Sequence, residues 1–138
     1  MKIKLLLSGV LLASVLSVAF VLAKPTPSVN VTGIWVDSNS TAFQNCYVIF
    51  SQQGSKITML HYLEFNGAPL VEEGKGSITG NTVSYNVIVT KPIEGWATTG
   101  KHCLVLSADG NTLRGTYLDG KGNKGPLVFK KMNQNSQN

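Results

Sequence analysis

Two histidines, His61 and His102, two cysteines, Cys46 and Cys103, and the carboxylates Glu64, Glu72, Glu73 and Glu94 are the side chains of this 138-residue chain best suited to chemistry. Their spacing organises none. The histidines do not stand four apart as a helical zinc motif requires, and no serine sits in a nucleophile elbow. Glu72 and Glu73 are adjacent, so on a strand they point to opposite faces and cannot share a proton; a solvated edge accounts for both. The expectation is a protein that is not an enzyme and uses neither a metal nor a cofactor.

The cysteines carry a different expectation. An even pair in an exported chain predicts one disulfide, Cys46–Cys103, and closing so long a loop stabilises by roughly 4–5 kcal/mol in the chain-entropy account. Two buried free thiols are the alternative.

Export is read from the N-terminus. Lys2 and Lys4 precede an apolar run over residues 5–23, and Val21-Leu22-Ala23 suits signal peptidase, so residues 1–23 are a signal peptide. An uncleaved single-span anchor is the alternative. The chain is thus expected to be secreted or periplasmic, with no membrane contact beyond that segment. Cleavage lowers the formal net charge from +5 to +3, because only Lys2 and Lys4 are lost. Arg114 is the single arginine, so nothing resembles a nucleic-acid-binding patch.

Residues 24–30, with Pro25 and Pro27, form an extended linker, and residues 133–138 a polar, disordered tail. Between them, residues 31–132 show β-branched and aromatic runs punctuated by Gly, Asn and Asp, with no helical period longer than a turn. Strands are expected over 31–36, 45–51, 56–65, 71–78, 82–90, 103–107, 113–118 and 127–131. Alternation is clearest in the third, where Ile57, Met59, His61, Leu63 and Phe65 share a face, and in the fifth, with Val83, Tyr85, Val87 and Val89. Short links at 52–55, 79–81 and 108–111 alternate with longer ones at 37–44, 66–70, 91–102 and 119–126. In an up-and-down meander alternate links share an end. The prediction is an all-β, eight-stranded antiparallel barrel, open at the long-loop end and closed near Trp35.

The opening Val31-Thr32-Gly33-Ile34-Trp35-Val36, in an exported domain of this length built as a meander, resembles the calycins, the lipocalin-like barrels. That resemblance implies a ligand cup, with Lys130 or Lys131 packed over Trp35. The same opening, followed by Cys46-Tyr47-Val48-Ile49, also resembles the periplasmic barrel inhibitors of bacterial metalloproteases. This second resemblance implies a protein partner met by an N-terminal arm, residues 24–30, or by rim loops.

Within a cup, the candidate ligand-binding residues are Trp35, Met59, His61, Leu63, Tyr85, Trp96 and Tyr117. His61, on an apolar face, either orients a polar head group or is a buried histidine satisfied by a neighbouring hydroxyl. Tyr85 and Tyr117 carry the same two readings. Trp96, in a glycine-flanked rim loop, either covers a cavity or partner or folds back as a local cap. The expected partner is a small hydrophobic or amphipathic molecule.

Overall fold

The computed structural model describes residues 29–38 and 42–132; the expected signal peptide, most of the expected linker and the expected tail lie outside them. Eight antiparallel strands follow in order: β1 (Gly33–Asp37), β2 (Phe43–Gln53), β3 (Lys56–Phe65), β4 (Ala68–Thr79), β5 (Thr82–Lys91), β6 (Thr99–Leu106), β7 (Thr112–Asp119) and β8 (Lys124–Lys131). Each pairs with the next, and β1 closes on β8 through Trp35 opposite Lys131 and Asp37 opposite Phe129. The result is the expected closed up-and-down barrel, which leaves no sheet edge unpaired.

Alternation decides what faces inward. On β2, Val48 and Phe50 are buried while Ile49 and Ser51 are exposed; on β5, Val83, Tyr85 and Val87 are buried. The inward side chains of the closed half are tightly packed. Phe50 meets the edge of Trp35 at 6.2 Å between centroids, Tyr85 at 5.7 Å and Phe129 at 6.3 Å.

Two glycines of β4 make room for this core. A Cβ on Gly74 would lie 2.6 Å from Met59 Cγ, and one on Gly76 would lie 2.0 Å from the Ser84 carbonyl oxygen. β4 therefore runs as a full strand through a stretch whose glycines make it the weakest of the eight in sequence.

The closed pole is sealed by the segment entering β1. Val31 is fully buried, its carbonyl accepts the Trp35 indole N–H at 2.9 Å, and its own N–H bonds Gln52 Oε1 at 3.0 Å. Gln52 also donates to the Val29 carbonyl at 2.9 Å. Gly33, at φ 141°, makes the bend into β1 in a region that favours glycine. Lys131 lies over Trp35, its Nζ 5.4 Å from the ring centroid, as the calycin resemblance implies. Residues 29 and 30, the described end of the expected arm, are thus pinned at the pole opposite the mouth.

The links differ in part from expectation. At the open end, 92–98 and 120–123 are loops, but β3 and β4 join through Asn66-Gly67 alone. Both residues have positive φ, 50° and 78°, the conformation of a two-residue hairpin turn. The Asn-Gly pair overrides the longer loop read there.

Candidate functional site

Two irregularities shape the barrel above its core. The β2–β3 register shifts between Gln44 and Tyr47, with Asn45 at φ 49°, and the β4–β5 register shifts at Val71 and Glu72. The first is a bulge at Asn45: Cys46 keeps the inward parity of Val48 and Phe50, and the extra residue lets Phe43 reach the cavity as well, with Asn45 Nδ2 donating to Glu64 Oε2 at 2.9 Å. The second lies where Glu72 enters the interior.

These residues meet in a buried polar layer. Cys46 Sγ lies 3.4 Å from His61 Nε2, and His61 Nδ1 lies 3.0 Å from Glu72 Oε1. The same carboxylate oxygen is 4.0 Å from His102 Nε2, and His102 Nδ1 is 3.1 Å from the Tyr85 hydroxyl. Asp37, at the end of β1, hydrogen-bonds the Cys46 thiol. Among the described residues no buried side-chain polar atom is left without a partner. His61 Nδ1 donates to the ionised Glu72 carboxylate while its Nε2 faces the Cys46 sulfur, and His102 Nδ1 faces the Tyr85 hydroxyl.

Burial and these neighbours move the ionisations. Burial, then the charge and hydrogen bond of Asp37, push the Cys46 thiol up to about 12, so it stays protonated. Burial alone raises the Glu72 carboxyl, but the His61 hydrogen bond and the charges of both histidines outweigh it and hold Glu72 below its ordinary value. Burial lowers His102 to about 4 against the opposing pull of Glu72, leaving it neutral near pH 7. Burial also lifts the Tyr85 hydroxyl well above its usual range.

Above this layer a cavity of about 490 Å³ opens at the loop end. Leu63, Leu70, Val87 and Val89 form its walls, Asp37, His61, Glu72 and His102 its polar side, and Tyr117 and Trp96 also line it. Trp96 folds back on the rim, 5.1 Å from the Phe65 ring and 6.0 Å from Phe43. Asp119 holds the 120–123 loop by accepting from the backbone N–H groups of Lys121 and Asn123, at 2.9 and 2.8 Å.

Of the residues singled out in sequence, His61, Leu63, Trp96 and Tyr117 line the cavity. Tyr85 lies beneath it and reaches it through His102. Trp35 and Met59 belong to the packed core below. Two expectations are corrected. Cys46 and Cys103 are free thiols: Cys46 points inward from β2, whereas Cys103 points outward from β6, between the inward His102 and Leu104. Strand alternation and opposite walls keep them apart. Glu72 is not at a solvated edge but only 8 % exposed. Its parity with the apolar Leu70 and Ile78 on β4 was the available signal. His102, in step with Leu104 and Leu106, carried the same one.

No protein-family model matches this chain, and no curated protein sequence matches it, so its fold and its cavity alone carry the functional reading.

Proposed function

We propose that this protein is an exported, lipocalin-like barrel that binds a small apolar or amphipathic molecule without transforming it. The observation that carries this reading is a cavity of about 490 Å³ with apolar walls and a buried polar side. Ligand sites of this size, apolar with a few convergent polar groups, suit one small organic molecule. An apolar body would rest on Leu63, Leu70, Val87 and Val89, and a hydroxyl or amine would bond Glu72 or Asp37. Burying about 300 Å² of ligand apolar surface contributes roughly 7 kcal/mol before ordering costs, so apolar burial alone caps affinity at about 10 μM and the polar contacts must supply the rest.

The test is titration with an environment-sensitive hydrophobic dye, alongside native mass spectrometry of protein purified without organic solvent. A saturable 1:1 dye complex that Val87→Trp abolishes by filling the cavity is expected. Dye binding that is absent, or indifferent to Val87→Trp, removes the reading.

A further inference from the structure

Sequence spacing separates Asp37, Cys46 and His61, but the fold brings one donor atom of each within 4.8 Å of the others. They arrive on three neighbouring strands, β1, β2 and β3, and the thiol points inward in step with Val48 and Phe50. We propose that Asp37, Cys46 and His61 form a metal site for a divalent cation of borderline softness, Zn²⁺ foremost, beside the cavity.

Three observations converge on it. First, the donor set is thiolate, imidazole and carboxylate, which favours zinc over the hard cations calcium and magnesium. Second, the spacing fits. Zinc bonds sulfur at about 2.3 Å and nitrogen at about 2.0–2.1 Å, so two tetrahedral neighbours stand roughly 3.5 Å apart. Cys46 Sγ and His61 Nε2 are already 3.4 Å apart. Drawing in the Asp37 carboxylate requires a shift of about 1.4 Å at most, within reach of a side-chain rotation.

Third, the outer partner is in place. His61 Nδ1 is bonded to the Glu72 carboxylate at 3.0 Å, which leaves Nε2 aimed at Cys46. A carboxylate behind a histidine is the usual support of a ligating imidazole. Glu72 would be a positioning residue here, orienting His61 without touching the metal. Cation capture releases the Cys46 proton as the S–metal bond forms. Asp37 and His61 both line the cavity, so the cation has a path in, and a fourth position is left for water or a ligand atom. The site does not depend on the carrier reading, since the donors belong to the barrel itself.

Co²⁺ reports the site directly, because a cobalt–thiolate bond gives a charge-transfer absorption that other ligands do not. The purified protein, reduced and freed of metal by chelation, is titrated with Co²⁺ and then Zn²⁺, with circular dichroism checking the fold. One equivalent of Co²⁺ is expected to produce the band, and Zn²⁺ to erase it. Cys103→Ser keeps the band, Cys46→Ser loses it, and Glu72→Gln keeps it with affinity lower by about 10–100-fold. No band from the folded wild type, or a band that survives Cys46→Ser and vanishes in Cys103→Ser, overturns the site. Dye uptake without a cobalt band defeats this inference alone; a band without dye uptake supports it and defeats the carrier reading.

Discussion

The two halves of the barrel interior solve the same geometric problem in opposite ways. Toward the closed pole, Trp35, Phe50, Phe129, Leu104 and Leu113 are each at most 1 % exposed and fill the lumen edge to face. Toward the mouth, the inward positions go to Cys46, His61, Glu72 and His102, and above them the wall side chains leave a cavity. An eight-stranded barrel is just wide enough either to pack its own side chains or to hold one small ligand. This chain does both, one at each end. The packed half supplies the stability that allows the other half to stay open and to bury polar groups.

That division is most sharply tested by truncation at matched depth. Phe50→Ala removes a ring touched by three aromatics and should destabilise by about 3–5 kcal/mol, read from urea midpoints. Leu63→Ala opens onto space that already exists, so it should cost no more than about 2 kcal/mol, the transfer term without a new sealed void. Equal losses at the two sites would mean the halves are packed alike.

Acid separates the halves next. Among the described residues, Tyr85 is the only buried titratable group of the closed half, and its hydroxyl, pushed upward, does not ionise on acidification. The polar layer does respond. His102 holds its proton only below about 4 in the folded state against about 6.5 when unfolded, so between those values the unfolded chain takes up a proton that the folded chain refuses. Stability falls as pH drops from 6.5 to 4, by about 3 kcal/mol in total. Glu72, held below its ordinary value, adds a loss of the same sign at lower pH, as it is protonated through its folded-state value. Urea unfolding with a chelator present should show this slope in the wild type and a flatter one in His102→Gln. An unchanged slope in that variant would move the acid sensitivity elsewhere.

Much of the barrel was legible because its signals are local. Alternation along β3 and β5, and turn residues between strands, fix what faces inward and where the chain reverses. Gly33 and Trp35 mark the pole that Lys131 covers. The polar layer was less legible because it is a property of register. Cys46 shares the inward parity of Val48 and Phe50, but counting it as half of a disulfide set that parity aside. Glu72 is buried because β4 extends from Ala68, two-residue turn included, while a carboxylate beside a second carboxylate reads as surface. The disulfide failed for a related reason: parity within β6 sends Cys103 outward, and pairing by count ignores parity.

The rim gives a smaller stability effect and a larger functional one. Trp96 is half-buried against Phe43 and Phe65, so Trp96→Ala should cost about 1 kcal/mol in urea while weakening dye binding roughly tenfold. A stability loss as large as that of Phe50→Ala would place Trp96 in the structural core.

The smallest effect concerns how the closed pole is sealed. Lys131 covers Trp35 with its aliphatic stem, and its ammonium stands 5.4 Å from the ring centroid. Lys131→Met keeps a stem of similar length and removes the ammonium with both its contacts, the ring of Trp35 and the Asn30 carbonyl at 3.4 Å, so the difference separates those polar contacts from the covering of the ring. A loss of about 0.5–1 kcal/mol is expected, insensitive to whether the cavity is filled, because Trp35 lies below the polar layer. Adding a saturating dye should leave the wild-type-to-variant difference in urea midpoint unchanged. If the dye altered that difference, the two halves would be coupled through the core, and the packed end could no longer be treated as an inert foundation for the open one.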